Sequence, residues 1–224
     1  MLRRHFLTLS SVSLGGVLVY SLDRKGFLLR PGVHATQKTI RIPLRFFTEA
    51  EALVVAAIVA RIFPSDGSGP GAKEAGVVIY IDRQLAGPYG RDAHRYTQGP
   101  FDEDAPPELG YQGKSTPREL YREGLERLKG FDRLSAAEQD EALRAIETTT
   151  FFGLLRQHTV EGMFCDPAHG GNVDLVGWQL VGFPGPRMNN YDDIETHYGM
   201  KFRPKPASLS ELTRHKPMTN EDEK

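Results

Sequence analysis

The chain has 224 residues, of which 39% are hydrophobic and 25% are charged, and its formal net charge at pH 7 is −1. This composition is typical of one globular domain with a hydrophobic core, and the small charge gives no electrostatic attraction to nucleic acid. The single cysteine, Cys165, excludes a disulfide within the chain, a CxxC zinc pair, a CxxCH haem attachment site and a cysteine-ligated iron–sulfur cluster made by this chain alone.

The N-terminus, up to Leu22, has the features of an export signal. Two arginines are followed, after one further residue, by a large apolar pair and then by a weakly apolar run. This order resembles a twin-arginine signal, and the run is shorter than the 20 or so apolar residues that a membrane span needs. The residues that carry the signal are Arg3, Arg4, Phe6 and Leu7.

The signal is predicted to occupy residues 1–35, because Val33 and Ala35 place small residues where a signal peptidase needs them. An uncleaved N-terminal anchor is the alternative. The twin-arginine route exports proteins that are already folded, usually because a cofactor must be inserted first. The chain therefore either binds a cofactor or travels with a partner that binds one.

Helix-capping patterns predict most of the next region. The three capping boxes are Thr48 with Glu51, Thr116 with Glu119, and Ser135 with Glu138. The first helix is apolar almost all round and stops at Pro64, so it should be central to the core. Further helices are predicted over residues 72–86 and from about 149 to 164, although residues 77–81 could also form a strand.

At least five helices and no convincing hairpin predict an all-α fold. We expect one compact helical domain over residues 36–186, with an extended start and long irregular Gly/Pro-rich loops. The polar loop at residues 88–115 is long for a compact domain, which indicates a functional or partner-bound segment.

The most informative stretch is residues 158–186, which start as the end of the last long helix. From Asp166 onward it is rich in glycine and proline, and we call residues 166–186 the Gly/Pro block. It contains many glycines and prolines together with the only tryptophan, Trp178. Flexible linkers lack large apolar groups, so we predict an ordered loop that is pinned to the body by Trp178, Leu180 and Phe183. A packed loop with no role beyond stability is the alternative.

One group of polar residues is the best candidate for chemistry, since the chain has no GxSxG, HExxH, P-loop or dinucleotide motif. Its members are His158, Glu161, Cys165, Asp166, His169 and Asp174. His158, Glu161 and Cys165 lie close to one helix face, which permits a metal site without specifying it. The alternative is that His158 and Glu161 brace the Gly-rich loop through hydrogen bonds.

Cys165 carries a separate hypothesis. In an oxidising compartment, a cysteine without a partner in its own chain indicates either an interchain disulfide or a buried free thiol.

The tail, residues 187–224, is polar and irregular, yet it is rich in large apolar residues for a free tail. These residues are Tyr191, Ile194, Tyr198, Met200 and Phe202. We expect residues 187 to about 204 to lie along a surface of the chain or of a partner, and about the last ten residues to be disordered.

Three segments resemble subunit 3, the small or gamma subunit, of gluconate 2-dehydrogenase-type flavoprotein dehydrogenases. They are RRHFL, ARIFPSDGSGPGAKEAGVVIYIDRQL and FFGLLRQHTVEGMFCDPAHGGNVDLVGWQLVGFPGP. Together they cover most of residues 46–186.

The resemblance implies a non-catalytic subunit that holds no cofactor itself. It implies a large partner subunit of the glucose–methanol–choline type that binds FAD, and a multihaem cytochrome c subunit that passes electrons to quinone. The small subunit would support twin-arginine export and maturation of the large one, in the periplasm and associated with the inner membrane through its partners.

The resemblance also directs attention to a contact surface for the large subunit. The predicted contact residues are Phe164, Asp166, Pro167, Gly170, Gly171, Trp178, Phe183 and Pro184. The competing hypothesis is a stand-alone secreted metal or redox enzyme that uses His158, Glu161, Asp166 and His169.

Overall fold

The computed structural model describes residues 17–20, 40–95, 98–102, 104–187 and 191–212. Within these ranges the helices are α1 (Glu49–Ile62), α2 (Val77–Ala86), α3 (Pro117–Arg127), α4 (Ala136–Arg144), α5 (Thr150–Phe164), α6 (Val176–Val181), α7 (Tyr191–Thr196) and α8 (Leu209–Leu212). A short antiparallel pair precedes them, made of β1 (Val17–Tyr20) and β2 (Ile40–Pro43). The predicted all-α fold is confirmed, and α1–α5 are the five expected long helices.

The helix starts follow from the sequence because local hydrogen bonds determine them. In each of the three capping boxes, the hydroxyl accepts a bond from the backbone N–H of the glutamate, and the glutamate accepts one in return. Residues 77–81 are helical rather than extended. Helix α2 nevertheless begins later than predicted, because residues 72–76 form turns that end at Gly76 with a φ of 72°.

Helices α1, α2 and α5 provide most of the core. Val55, Ile58 and Val59 of α1 are fully buried, as expected for a central apolar helix. Helix α5 crosses α2 closely at Gly162, where an added Cβ would lie 2.9 Å from the ring of Tyr80. A residue with a side chain at this position would force the two helices apart.

The segment before α1 is held by a buried carboxylate that sequence reasoning missed. Asp82 on α2 is 1% exposed, and its oxygens accept backbone N–H bonds from Arg45 at 2.8 Å and from Phe46 and Phe47 at 2.9 Å. Bonds to an ionised acceptor are stronger than neutral ones. Asp82 therefore determines the position at which the chain enters α1.

None of the helices in the described ranges is long and apolar enough to cross a membrane. The predicted signal residues Arg3, Arg4, Phe6 and Leu7 and the cleavage site at Ala35 lie outside the described residues. So does the part of the tail beyond residue 212.

Candidate functional site

The Gly/Pro block folds back onto the C-terminal end of α5, and it is more regular than predicted. It forms 3₁₀ turns at Pro167–His169 and Val173–Leu175, followed by α6. Asn172 holds the block together and is fully buried. Its backbone N–H donates to the Gly162 carbonyl at 2.9 Å, its amide donates to the Cys165 carbonyl at 2.8 Å, and its side-chain oxygen accepts from the Gly177 N–H at 2.8 Å.

Two glycines allow this close approach. A Cβ at Gly171 would lie 2.1 Å from the Gly162 carbonyl oxygen, and one at Gly177 would lie 2.0 Å from the Met163 carbonyl oxygen. Gly170 is buried as well. Gly170 and Gly171 are both packed inside the chain, where they give the block its shape. Their predicted contact with a partner stays a prediction.

Trp178 pins the block to the body, as predicted. It is 4% exposed, and its indole N–H donates to the Phe164 carbonyl at 2.7 Å. Phe183 packs edge-on against Trp178, with ring centroids 5.1 Å apart, and its other side stays open to solvent. The prediction that Leu180 also pins the loop is wrong, because Leu180 is exposed.

The outer side of this arrangement is an apolar surface, which we call the Phe164 face. One shallow groove of 360 Å³ is lined by Phe164, Trp178, Val181 and Phe183. A second groove of 490 Å³ shares Phe164, and Tyr80, Gln84, Val160, Glu161, Cys165, Asp166 and His169 complete its lining. Adjoining apolar grooves that remain open to solvent are typical of protein contact sites.

Two of the predicted contact residues hold the tail. One carboxylate oxygen of Asp166 accepts from the Ala168 N–H at 2.9 Å, which caps the first 3₁₀ turn, and the other accepts from the Leu209 N–H at 2.7 Å. The Pro184 carbonyl accepts from the Ala207 N–H at 3.1 Å. Pro167 is only partly buried at the start of the block.

His158 lies in the core between two tyrosines and is 1% exposed. The hydroxyl of Tyr121 is 2.9 Å from Nδ1, and that of Tyr89 is 2.8 Å from Nε2. A neutral imidazole donates through one nitrogen and accepts through the other, so both hydroxyls are satisfied. Burial lowers the pKa of His158 to about 4, although the charge of Glu161 acts in the opposite direction.

Glu161 is engaged as well. It accepts bonds from the Tyr80 hydroxyl at 2.9 Å and from the Gln157 amide at 2.7 Å. Burial, assisted by the bond to Glu161, raises the pKa of Tyr80. The proposed bracing of the Gly-rich loop by His158 and Glu161 is therefore wrong, since both side chains bind tyrosines or glutamine and not the loop.

The metal hypothesis finds no support in this geometry. Both ring nitrogens of His158 already have tyrosine partners. Among the residues that the structure describes, no three His, Cys, Asp or Glu side chains are arranged to hold an ion. Asp174 lies on the 3₁₀ turn before α6 and His169 is exposed at the groove next to Cys165.

Cys165 ends α5 and is half-buried in the second groove of the Phe164 face. Burial raises the pKa of its thiol to about 11, which keeps it protonated and slows its reaction in this state. The interchain disulfide stays a prediction. Cys165 lines the Phe164 face, so a partner bound there would lie next to it.

Arg95 ties the beginning and the end of the loop at residues 88–115 together. Its guanidinium donates to the Asp92 carboxylate at 2.6 and 2.9 Å and to the Gly113 carbonyl at 2.9 Å. It also lies over the ring of Tyr111, 5.2 Å from the centroid. The described parts of this loop are thus ordered by contacts within the chain.

A family model described as gluconate 2-dehydrogenase subunit 3 matches residues 49–185. The match runs from the start of α1 to residue 185 in the Gly/Pro block, so it includes the core helices, His158 with its tyrosine partners and the whole Phe164 face. No curated protein and no solved structure matches the chain. Because the match covers more than half of the sequence, the chain belongs to the gluconate 2-dehydrogenase subunit 3 family.

Proposed function

We propose that this chain is the non-catalytic small subunit of a periplasmic dehydrogenase complex that oxidises gluconate, another sugar or a polyol. The catalytic subunit is an FAD-dependent flavoprotein of the glucose–methanol–choline type, and a multihaem cytochrome c carries its electrons onward. The small subunit supports twin-arginine export, maturation and stability of the flavoprotein.

Family membership carries this proposal, because a protein described as subunit 3 implies partner subunits. The Phe164 face gives such a partner a place to bind. Its exposed apolar groups, Val160, Val181 and Phe183, surround the partly buried ring of Phe164. These side chains have access to a partner, whereas Trp178 supports them from below.

The polar residues that would serve an enzyme are used inside the fold. His158 and Glu161 bind tyrosines, and Asp166 caps a turn and binds the tail. An arrangement of this kind stabilises a binding surface. It favours a subunit that presents a surface over one that performs chemistry with this cluster.

Export supplies the second part of the proposal. Residues 3–7 read RRHFL, and a twin-arginine signal on a small subunit can carry a folded flavoprotein that is bound to it. The FAD would then be inserted before transport, and complex formation would precede export.

The test replaces Arg3 and Arg4 by lysine in the chromosomal copy. We expect flavoprotein activity to disappear from the periplasm and flavoprotein to accumulate in the cytoplasm, since the charge is kept but the arginine pair is lost. The matched control is Arg24→Lys with Arg30→Lys, which makes the same exchange outside the pair. Unchanged periplasmic activity in the Arg3/Arg4 variant would refute the export role.

A further inference from the structure

The tail forms an arm that is closed at its base. We define the arm as Arg187 together with residues 191–206, which return to the Gly/Pro block at Ala207. The Ala207 N–H donates to the Pro184 carbonyl at 3.1 Å, and the Leu209 N–H donates to Asp166 at 2.7 Å. Ser208 between them is buried. The two ends of the arm are therefore fixed side by side on the block that carries the Phe164 face.

The arm also has internal order. Arg187 forms an ion pair with Asp193. The His197 N–H donates to the Asp193 carbonyl at 2.9 Å, and the Met200 N–H donates to the His197 carbonyl at 3.0 Å. The rings of His197 and Phe202 stack with centroids 3.7 Å apart. A segment that is already ordered loses less conformational entropy when it binds a partner.

Large apolar side chains on the arm point away from the chain's own core. Ile194, Tyr198, Met200 and Phe202 are between 41% and 86% exposed. Large apolar side chains have areas of about 150–250 Å² each, so at these exposed fractions the four residues together expose roughly 400 Å² or more. Apolar area of this size on one short segment indicates a contact surface. A standard interface needs about 800 Å² from each partner, so the arm could supply about half.

The outgoing part of the arm adds positive charge. Lys201, Arg203 and Lys205 are all exposed, whereas Pro204 is partly buried. None of the three basic groups forms an ion pair within the described part of the chain. An acidic surface on the partner would complement them.

The position of the arm in the sequence shows what it can contribute. The family match ends at residue 185, just before the arm begins. The arm thus lies outside the part of the chain that matches the family model. A contact made outside the matched part can distinguish one partner from another, because specificity depends on a difference between affinities.

We propose that the arm is a specificity-determining docking element, which binds an acidic and partly apolar surface on this chain's own flavoprotein subunit. The inference rests on the proposed function. It adds a second contact to the Phe164 face, and the base contacts at Asp166 and Pro184 keep the two contacts in a fixed arrangement.

The experiment uses the tagged full-length chain, co-expressed with its flavoprotein subunit. Retained flavoprotein is measured as flavin absorbance per tagged chain. One arm variant is I194S/Y198S/M200S and the other is K201Q/R203Q/K205Q. The matched controls change exposed residues elsewhere, namely L109S/L134S and R127Q/R144Q/R156Q.

Both arm variants should weaken retention by about tenfold or more, as expected for loss of several central contacts. The thermal stability of the chain should not change, because the altered side chains are exposed. The effect of the glutamine variant should shrink in high salt, which screens charge. The controls should retain flavoprotein as the unaltered chain does.

Retention that is equal for the arm variants and the unaltered chain would overturn the inference and leave the proposed function standing. The arm variants could instead lose binding to phosphatidylcholine–phosphatidylglycerol vesicles that the unaltered chain binds, while they retain flavoprotein normally. This result would also overturn the inference, and it would assign the arm to the membrane surface. An unaltered chain that retains no flavoprotein would overturn the proposed function together with the inference.

Discussion

The buried His158 should make the stability of this chain depend on pH in a defined range. The ordinary pKa of histidine is 6.5, and burial between Tyr121 and Tyr89 lowers it to about 4 in the folded state. Between these two values the unfolded chain binds more protons than the folded chain. The free energy of unfolding should therefore fall as the pH is lowered from 6.5 towards 4, and this contribution should level off below about 4.

The size of the effect follows from the two pKa values. Each pH unit between them is worth about 1.4 kcal/mol, so the full contribution of His158 is about 3 kcal/mol. This is a large part of the 5–15 kcal/mol that typical domains possess. The titratable neighbours of His158 are Glu161 on the same helix and three tyrosines, Tyr80, Tyr89 and Tyr121. Burial raises the pKa values of the three tyrosines further above this pH range.

The assay is urea unfolding of the purified chain at a series of pH values between 7 and 4. His158→Gln keeps hydrogen-bonding groups between the two tyrosines but does not titrate. We expect the variant to be less stable than the unaltered chain at pH 7, and the difference to shrink by about 3 kcal/mol as the pH approaches 4. The control is His169→Gln, which makes the same substitution at an exposed position. Parallel curves for the His158 variant and the unaltered chain would refute the reasoning.

Three further predictions concern single positions. Asp82→Asn should lower the free energy of unfolding by about 2 kcal/mol, because it removes the ionised acceptor of three backbone N–H groups; an unchanged urea midpoint would contradict this. Gly171→Ala should destabilise the chain by about 1–3 kcal/mol through overlap with the Gly162 carbonyl, whereas Gly153→Ala, which meets no atom within 4 Å, should not; equal effects in urea unfolding would show that the block can relax. If Cys165 is bonded to the partner, non-reducing electrophoresis of the native complex should show a heavier band that disappears on reduction and in Cys165→Ser; identical mobility before and after reduction would exclude the bond.

The sequence predicts the parts of the fold that depend on local interactions. The three capping boxes give the starts of α1, α3 and α4, because each donor and acceptor lies within three residues of its partner. The place of α1 in the core follows from its apolar composition. These predictions need no knowledge of distant contacts.

The site depends on contacts between distant residues, and these cannot be read from spacing. Asp82 binds backbone that lies more than thirty residues earlier, and His158 binds Tyr121 and Tyr89 from two other elements. The spacing of His158, Glu161 and Cys165 on one helix indicated a cluster. In the structure, however, His158 and Glu161 are hydrogen-bonded to neighbouring tyrosines. The regular turns of the Gly/Pro block depend on Asn172, whose three bonds need α5 and α6 already in place.

Composition indicated the importance of the Gly/Pro block but not the orientation of its residues. Trp178 was predicted to bind the body and does so, whereas Leu180 points outwards. The close approach of the Gly162 carbonyl oxygen to Gly171 was not indicated by composition either. Side-chain direction in irregular backbone is determined by the whole fold, so it cannot be inferred from residue type.

The central claim is that this subunit accompanies a flavoprotein and holds no flavin itself. The most direct measurement is the flavin content of the tagged chain purified from the periplasm, before and after the complex is separated under mild conditions. The account predicts a flavoprotein recovered in a fixed ratio with the chain, and all the FAD on the flavoprotein after separation. Recovery of the chain alone, or of FAD on the separated chain, would contradict it.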